Sequence, residues 1–402
     1  MKYLIIVGDG MADFPVEDFN GKTPLQTAHH PNMDLIATKG RCGLVKTIPE
    51  GTATGSDTAN LSLLGYDPRK LKIGRGPLEV ASIGVRLDED DLALRCNLIT
   101  VEDGVLKDYS AGHISNGEAE KLIKHIDAKL GFPGEREFYS GVSYRNSLVL
   151  RGRWYSDRIK CLPPHDHMGT HVRELLIKPS TAAGEATAEL LNEMINDSIE
   201  ILGNHEVNRK RKERGENAAN MIWFWGAGRK PKMKTLWEKY HIKSAVISAV
   251  DLIKGIGYYT GMEIINVPGA TGLYDTNYEG KADYALKSLE QNDLVYLHVE
   301  APDEAGHEGD FQLKVKSIED LDKRLIGRIL NRIEDDYVIS VVSDHFTPVK
   351  LRTHTADPTP FTIYNSKSYE GDKVKRFDEF EVRKGSHGVI EAQSFLSLVL
   401  KG

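Results

Sequence analysis

The sequence predicts an α/β fold built on a mostly parallel β-sheet. Two observations predict it: continuous apolar runs typical of strands buried on both faces, and helical segments that alternate with them. The candidate strands span residues 3–7, 246–250, 262–267, 294–299 and 338–342. The candidate helices span residues 282–289, 316–333 and 392–400. Alternating strands and helices form parallel sheets. In such sheets ligands bind at the carboxyl ends of the strands, so we expect the functional site there.

The middle of the chain has a different pattern and indicates an inserted, smaller α/β (α+β) domain. Residues 85–151 are strand-like and interrupted by glycines, whereas residues 179–204 form a long helical pattern. The basic run at 208–214 is typical of a solvated helix end or loop, and the basic stretch at 229–234 is typical of a linker. The predicted boundaries are 1–80 for the first part of the main domain, 85–230 for the insertion and 235–402 for the second part.

The composition of the 402 residues indicates a folded, cytoplasmic enzyme. Hydrophobic residues make up 40% and charged residues 28%, a balance that excludes a disordered or collagen-like chain. The net charge of −7 argues against nucleic acid as a partner. Three cysteines without CxxC spacing indicate a reducing compartment. The apolar runs are too short for a signal peptide or a membrane span. No exposed apolar helix stands out, so we expect a monomer, with a homo-oligomer as the alternative.

Carboxylates and histidines cluster after the predicted strands. Asp303 and His307 are spaced i, i+4, so a helical turn would place both on one face, although a charged surface turn would have the same spacing. The candidate metal ligands are Asp9, Asp303, His307, Asp344, His345 and His354. Mixed oxygen and nitrogen donors suit Mn²⁺ or Zn²⁺, with Mg²⁺ and Co²⁺ as alternatives. This number of ligands fits two divalent ions.

Ser56 lies between Gly55 and Asp57, immediately before a helical pattern. A serine in this position has two interpretations. It can cap the helix, or it can act as a nucleophile where the backbone N–H groups of the first turn favour an incoming phosphoryl group. The sequence contains no GxSxG elbow. Metal activation of the hydroxyl therefore fits better than a catalytic triad.

Three further patterns do not favour a nucleotide site or a structural metal site. The glycines after the first strand do not complete GxGxxG, and no Walker-type loop is present. Four potential zinc ligands have the spacing C-x₃-H-x-H-x₃-H: Cys161, His165, His167 and His171. That spacing is not typical of a structural zinc site, so the sequence does not favour zinc there and leaves the role of the cluster open.

Nine motifs together resemble the archaeal-type cofactor-independent (2,3-bisphosphoglycerate-independent) phosphoglycerate mutases, members of the alkaline phosphatase superfamily. The motifs are VGDGM (7–11), TGSDTANLSLLGYDP (54–68), GRGPLE (74–79), RCN (95–97), ISAVDLIKGIG (247–257), VPGATGLYDTNYEGKA (267–282), VEAPDEAGHEGD (299–310), SDH (343–345) and RTHTADPTPF (352–361). The resemblance covers almost the whole chain. It implies an alkaline-phosphatase-like main domain with an inserted phosphotransferase domain that holds the substrate.

The resemblance also implies the reaction and the roles of residues. The expected activity interconverts 3-phosphoglycerate and 2-phosphoglycerate, a step of glycolysis and gluconeogenesis on a small phosphorylated metabolite. Ser56 would become phosphoserine, and Lys254 would contact the transferring phosphate. The ions, Mn²⁺ first among them, would occupy two sites, one formed by Asp303, His307 and His354 and the other by Asp9, Ser56, Asp344 and His345.

The chain departs from the family pattern in one segment. An arginine-rich DRRAGR-like stretch is expected after the RCN motif, but residues 108–113 read DYSAGH and contain no arginine. The remaining arginines that could substitute are Arg75, Arg95, Arg145 and Arg229. The candidate substrate-binding residues are Arg75, Asp108, His113, Arg145, Arg229 and Lys254. The departure keeps two alternatives open: a mutase-like homoserine kinase of threonine biosynthesis, and a hydrolytic metallophosphatase.

Overall fold

The computed structural model describes residues 1–71, 73–334, 336–368, 371–372 and 374–402. In chain order the strands are β1 (Lys2–Gly8), β2 (Arg41–Lys46), β3 (Leu92–Glu102), β4 (Val105–Asp108), β5 (Arg136–Val142), β6 (Arg145–Leu150), β7 (Ile159–Lys160), β8 (Lys178–Pro179), β9 (Met221–Arg229), β10 (Ser244–Ile247), β11 (Glu263–Ile265), β12 (Leu294–Val299), β13 (Tyr337–Ser343), β14 (Thr359–Asn365) and β15 (Gly388–Glu391).

The α-helices are α1 (Pro24–Thr27), α2 (Pro31–Lys39), α3 (Ser56–Leu63), α4 (Pro68–Leu71), α5 (Arg75–Ser82), α6 (Asn116–Leu130), α7 (Val172–Leu175), α8 (Glu185–Gly203), α9 (Glu206–Glu213), α10 (Leu236–Tyr240), α11 (Asp251–Thr260), α12 (Tyr278–Leu289), α13 (Ala301–Glu308), α14 (Phe311–Asp320), α15 (Gly327–Leu330) and α16 (Phe395–Val399). A π-helical segment, Leu321–Ile326, joins α14 to α15. Short 3₁₀ turns lie at Glu17–Phe19, Pro164–Asp166, Ala182–Gly184, Glu381–Lys384 and Ala392–Ser394.

The chain divides into two compact units. Met1–Leu71 and Met233–Gly402 form the larger unit, and the segment between them, ending at Lys232, forms the smaller unit. The smaller unit includes α5, which falls within the predicted first part of the main domain. Helix α5 packs against β3 and β9 of the smaller unit. A side chain at Gly76 would collide with the backbone of Ala93 in β3, so this close approach requires glycine.

The larger unit contains an eight-stranded sheet in the order β11-β10-β12-β1-β13-β14-β2-β15. All neighbouring pairs are parallel except those made by β14, which runs antiparallel to β13 and β2. The apolar residues of β1 from Leu4 to Val7 are fully buried, as expected for a strand covered on both faces. The predicted α/β fold with a mostly parallel sheet is confirmed.

The smaller unit is built on an antiparallel sheet. Its strands follow the order β4-β3-β6-β5, and β9 pairs with β3 on the other side. Helices α6 and α8 contact each other and the sheet, and Leu94, Leu122, Leu191 and Trp223 belong to their shared core. An antiparallel sheet covered by helices is an α+β arrangement.

The prediction that residues 85–151 are strand-like missed α6. Buried residues recur along it at helical spacing, namely Ala119, Leu122, Ile123 and Ile126. The hydroxyl of Ser115 accepts a hydrogen bond of 3.4 Å from the backbone N–H of Glu118, which fixes the start of the helix. Both signals are present in the sequence, because Ser115 precedes Glu118 by three residues.

The basic run at 208–214 lies in α9 and its end, but it is not uniformly solvated. Arg211 is 3% exposed. Its guanidinium donates to a carboxylate oxygen of Glu118 at 2.6 Å and to the carbonyls of Ala111 and Asn217. One residue of the run is therefore a core cation that ties α9 to α6. Among the described residues no helix is both long and apolar enough to cross a membrane.

Candidate functional site

The carboxyl edge of the eight-stranded sheet brings three chain segments together. Gly8 of β1 pairs in register with Val299 of β12 and with Ser343 of β13. The residues that follow these strands therefore emerge side by side. Asp9 follows β1, Asp344 follows β13, and helix α13 begins close behind β12. Parallel register is thus the reason that residues far apart in sequence meet at one edge.

Asp303, His307 and His354 form the first group of potential metal ligands. On α13, the i, i+4 spacing places Nε2 of His307 3.3 Å from Oδ2 of Asp303. Nε2 of His354 lies 3.5 Å from Oδ1 of Asp303, and the two histidine Nε2 atoms are 2.9 Å apart. The residues that the resemblance assigns to one metal site therefore lie within contact distance.

Asp9, Ser56, Asp344 and His345 form the second group. His345 is fully buried, and its Nε2 lies 3.3 Å from Oδ1 of Asp9 and 3.6 Å from Oδ2 of Asp344. The same nitrogen is 3.1 Å from Oγ of Ser56. His345 therefore contacts both carboxylates and the serine hydroxyl.

Ser56 is the first residue of α3, and Gly55 occupies the N-cap position without a side-chain cap. The capping interpretation of Ser56 is therefore wrong, because the hydroxyl faces His345 instead of closing the first turn. The serine residue is half-buried, and its oxygen is held beside His345. It also lies where the helix dipole favours an anion.

Thr347 connects the two groups and was missed by sequence reasoning. Its hydroxyl donates its only hydrogen to Oδ1 of Asp303. Oγ1 also lies 3.2 Å from Nδ1 of His345, where it must act as the acceptor. The proton of His345 is therefore on Nδ1, and the lone pair of Nε2 faces Asp9, Asp344 and Ser56. Gly10 makes room for this bridge, since a Cβ there would collide with both Asp303 and Thr347.

Asn60 holds the serine to the second group. One turn beyond Ser56 on α3, its side-chain amide donates to the carbonyl of Ser56 at 2.8 Å and to Oδ2 of Asp344 at 2.9 Å. The hydroxyl of Tyr296, on β12, donates to Oδ1 of Asn60 at 2.5 Å. The four residues form one buried network that fixes α3 relative to the sheet. The only sequence signal for Asn60 is its spacing of four residues from Ser56.

The electrostatics of the second group fit a divalent cation. Burial raises the pKa of Asp9 well above its ordinary value, and the carboxylates of Asp344, Asp303 and Glu300 raise it further. Oδ1 of Asp9 has no hydrogen-bond partner among the described residues. A divalent ion would neutralise the repelling carboxylates and take the unpaired oxygen as a ligand. Two groups of three potential ligands are found here: Asp303, His345 and His354, and Asp9, His298 and Asp344.

Asp303 and His307 shift each other's pKa in opposite directions. Burial acts to raise the pKa of Asp303, but hydrogen bonds from His307 and His354 outweigh it and hold the pKa well below the ordinary range. The hydrogen bond to Asp303 raises the pKa of His307 to about 9, against the opposing effect of burial. The carboxylate is therefore kept ionised, as a metal ligand must be.

Lys254 lies half-buried on α11 in the larger unit, and α11 contacts α3. Burial lowers the pKa of Lys281 to about 8; the charge of Glu300 opposes this shift and that of Lys254 adds to it. The ammonium of Lys281, 1% exposed, donates to the carbonyl of His298 at 3.1 Å. Lys281 is therefore a buried cation at this edge of the sheet that sequence reasoning missed.

The smaller unit contains a separate cationic cluster. The guanidinium groups of Arg95 and Arg75 lie 4.8 Å and 5.6 Å from the ring centre of Trp225. That of Arg145 lies 5.9 Å from the ring centre of Tyr144. Arg95 is 5% exposed and pairs with a glutamate through one nitrogen, while its Nε has no hydrogen-bond partner among the described residues. Arg75 and Arg145 are exposed.

Two of the other predicted substrate residues have structural partners. Arg229 lies outside this arginine cluster, because its guanidinium donates to the carbonyls of Asp90 and Tyr155. The carboxylate of Asp108 accepts hydrogen bonds from Ser110, Gly112 and Asn217 and thereby shapes its own loop. The prediction that residues 229–234 form a linker is wrong for Arg229, which ends β9.

The predicted substrate residue His113 does lie beside the arginine cluster, with its ring 6.0 Å from that of Tyr144. The remaining cluster of cysteine and histidines is dispersed. His165 packs its ring 5.2 Å from Trp225, and His171 accepts a hydrogen bond from the backbone of Arg173 at the start of α7. Burial raises the pKa of the Cys161 thiol to about 12. Within the described ranges these residues do not form a metal-binding group.

Comparison with known proteins agrees with the resemblance. The profile of one family, described as 2,3-bisphosphoglycerate-independent phosphoglycerate mutase, matches residues 37–208. The 2,3-bisphosphoglycerate-independent phosphoglycerate mutase 2 of Methanothermobacter thermautotrophicus is 49% identical over 100% of this chain and 97% of its own length. The corresponding mutase of Methanosarcina acetivorans is 49% identical over 100% of both chains.

Solved structures are similar over the full length as well. The PH0037 protein from Pyrococcus horikoshii has a TM-score of 0.85 at 31% identity and covers 100% of this chain and 96% of its own. The cofactor-independent phosphoglycerate mutase from Thermoplasma acidophilum has a TM-score of 0.70 at 31% identity, with coverage of 100% and 99%. The similarity therefore spans both units.

Proposed function

The chain belongs to the family of 2,3-bisphosphoglycerate-independent phosphoglycerate mutases, which are isomerases, and from that premise we propose that it interconverts 3-phosphoglycerate and 2-phosphoglycerate through a phosphoserine at Ser56. The observation that carries the proposal is the position of the Ser56 hydroxyl, 3.1 Å from Nε2 of His345 and at the start of α3. A serine oxygen held there contacts the imidazole that also contacts both buried carboxylates of the second group.

The proposed reaction requires two divalent ions. Mn²⁺ is the preferred candidate, and Zn²⁺, Co²⁺ or Mg²⁺ are the alternatives. The residues that would hold them are Asp303, His307 and His354 at one site and Asp9, Ser56, Asp344 and His345 at the other. When bound, such ions supply positive charge for the phosphate oxygens and lower the pKa of the serine hydroxyl.

Ser56 and the residues around it carry out the two phosphoryl transfers. Oγ of Ser56 gives up its proton and forms a bond to phosphorus while the bond between phosphorus and the substrate oxygen breaks, and the released oxygen takes up a proton, so the step conserves protons. The neighbouring hydroxyl of the same glycerate then attacks the phosphoserine and releases Ser56, which regains its proton. The amides of the first turn of α3 and the ammonium of Lys254 would offset the charge of the phosphoryl group. Asn60 keeps the serine in place during both transfers.

The arginine cluster of the smaller unit supports an acidic substrate. Arg75, Arg95 and Arg145 lie beside aromatic rings, and Arg75 and Arg145 are exposed to solvent, where an anion can reach them. A planar guanidinium matches a carboxylate, so we assign the glycerate carboxylate to this cluster. The cluster replaces the arginines that the DYSAGH segment lacks. A homoserine kinase would need fewer arginines, because homoserine carries a carboxylate but no phosphate.

The proposal is tested by assaying the purified, Mn²⁺-loaded protein with three sets of substrates. Conversion of 3-phosphoglycerate to 2-phosphoglycerate, without added 2,3-bisphosphoglycerate, is the expected result. Phosphorylation of homoserine by ATP without that conversion would assign the protein to the kinase alternative. Rapid phosphate release from small phosphate esters, without transfer to a second hydroxyl, would identify a phosphatase instead.

A further inference from the structure

His298 is buried beside the second ligand group, yet its side chain has no role in the function proposed above. It lies on β12, where Leu297 and Val299 face the main apolar core. His298 and Tyr296 alternate with them and project from the opposite face of the strand. His298 is fully buried, and its Nε2 lies 3.1 Å from Oδ2 of Asp9.

The hydrogen bonds around His298 leave one nitrogen unused. Although Nε2 lies near Asp9, neither this nitrogen nor Oδ1 of Asp9 has a hydrogen-bond partner among the described residues. A buried polar atom without a partner is destabilising, so each such atom in a folded protein requires an explanation. Nε2 of His298 and Oδ1 of Asp9 are both buried electron-pair donors. Their lack of hydrogen-bond partners is explained if both bind the same cation.

The other ring nitrogen has a partner of the kind that metal-binding histidines use. Nδ1 lies 3.5 Å from Oγ of Ser248, and that oxygen accepts a hydrogen bond of 3.0 Å from the backbone N–H of Val250. A hydroxyl oxygen there can also accept the Nδ1 proton. That arrangement leaves the lone pair on Nε2, directed towards Asp9. The ammonium of Lys281 fixes the backbone of His298 through its carbonyl.

We infer that His298 is a metal ligand of the second site, where it binds the cation through Nε2 together with Asp9 and Asp344. One donor atom from each of these three residues lies within 4.8 Å of the others. The inference rests on the metal dependence proposed above, and it adds a ligand that the sequence motifs do not include. The second site would then have two histidine ligands, His298 and His345, as the first site has His307 and His354.

Two substitutions separate the ligand role from a packing role. His298→Asn keeps a polar group near Ser248 but removes the atom at the Nε2 position. His298→Gln keeps a polar oxygen near the Nε2 position and removes the histidine nitrogen. His387→Asn is the matched control, because His387 lies in the same unit, stacks on Phe361 and belongs to neither ligand group. Thermal unfolding of each full-length variant establishes that it is folded.

The experiment measures Mn²⁺ binding by calorimetric titration and histidine coordination by pulsed electron paramagnetic resonance of ¹⁵N-histidine-labelled protein. We expect wild type and His387→Asn to bind two ions with the same histidine couplings. In His298→Asn, one ion should bind about 10- to 100-fold more weakly, and one histidine coupling should be lost. In His298→Gln, the coupling should be lost with a smaller loss of affinity.

The outcomes distinguish this inference from the proposed function. Unchanged affinity in His298→Asn would overturn the ligand role. Weaker binding with all histidine couplings retained would also overturn it, because His298 would then act only by positioning Asp9. Wild-type protein that binds no divalent ion would overturn the proposed metal dependence, and the inference with it.

Discussion

The ligand groups of the larger unit and the arginine cluster of the smaller unit are built in different ways. The former are held by strand register and by buried hydrogen bonds, so that Asp344 and His345 are fully buried. In the arginine cluster, by contrast, the cations lie beside aromatic rings, and Arg75 and Arg145 are exposed. The first arrangement is buried and fixed by many hydrogen bonds, whereas two of the three arginines of the second are open to solvent.

Removal of the buried carboxylate of Asp344 should abolish phosphoryl transfer and leave the arginine cluster intact. Asp344→Ala removes an expected metal ligand and the acceptor of the Asn60 amide. We expect kcat to fall by at least about a thousand-fold, since a catalytic metal supplies several kcal/mol of stabilisation in the transition state. Elemental analysis should show that one ion is lost.

The matched control is Asp336→Ala, an exposed aspartate that precedes the same strand at its opposite end and pairs with Lys367. It should retain both ions and full activity. If Asp344→Ala also retained both ions, the assignment of Asp344 to a metal site would be wrong.

Substitution in the arginine cluster should produce the opposite pattern. Arg145→Ala removes one cation beside Tyr144. We expect KM for 3-phosphoglycerate to rise by about 10-fold or more, because a hydrogen bond to a charged group contributes about 1.5–3 kcal/mol. Metal content should not change. Arg153→Ala, which removes an exposed arginine beside Trp154 in the same unit, is the control and should leave KM unchanged. Equal KM values in all three proteins would remove Arg145 from the substrate site.

Thr347 tests whether the two ligand groups are coupled. Thr347→Val keeps the side-chain shape but removes the hydroxyl that joins Asp303 to Nδ1 of His345. We expect Mn²⁺ affinity to fall by about 10-fold, the lower end of the range for residues that orient metal ligands. Thr347→Ser keeps the hydroxyl and should restore most of the affinity. A loss of affinity in Thr347→Ser with none in Thr347→Val would show that the methyl group, and not the hydroxyl, is what matters.

Glu379 lies outside both regions, and its substitution should have the smallest effect on activity. The carboxylate accepts hydrogen bonds from the backbone of Asp13 at 3.0 Å and from the hydroxyl of Thr23 at 2.9 Å, and burial raises its pKa to about 7. Because the folded-state pKa exceeds the unfolded value, the contribution of Glu379 to stability is complete below about pH 4 and is lost as the pH rises through about 7.

Glu379→Gln should therefore remove that loss of stability, which is of the order of 1–3 kcal/mol. Urea unfolding of both proteins at about pH 4.5 and about pH 8 measures the difference. The variant should gain stability relative to wild type at the higher pH. A parallel pH dependence in the two proteins would show that Glu379 does not titrate in this range.

The sequence was most informative where a potential metal ligand directly follows an apolar strand. Apolar strands followed directly by Asp9 or Asp344 indicate both the parallel sheet and the edge at which ligands meet. His298 gave no such signal, because it lies inside an apolar strand where a histidine is most often a core residue. The contacts of Thr347 with Asp303 and of Asn60 with Asp344 span more than 40 residues of chain, and only the folded register reveals them.

The smaller unit was harder to predict because its interactions depend on side-chain pairing. The helical periodicity of α6 was present, but it was overlooked among strand-like segments. Arg229 and Arg145 are equivalent as residue types, yet the first is bonded to backbone carbonyls and the second is exposed beside an aromatic ring. Residue type alone therefore indicates an acidic substrate without showing which arginines bind it.

Chemical quench of the Mn²⁺-loaded enzyme during turnover of ³²P-labelled 3-phosphoglycerate tests the central claim most directly. We predict label on Ser56, formed and lost at least as fast as 2-phosphoglycerate appears. A Ser56→Ala variant that retains both ions should show neither label nor conversion. Full conversion by that variant, or label on a different residue, would contradict transfer through Ser56.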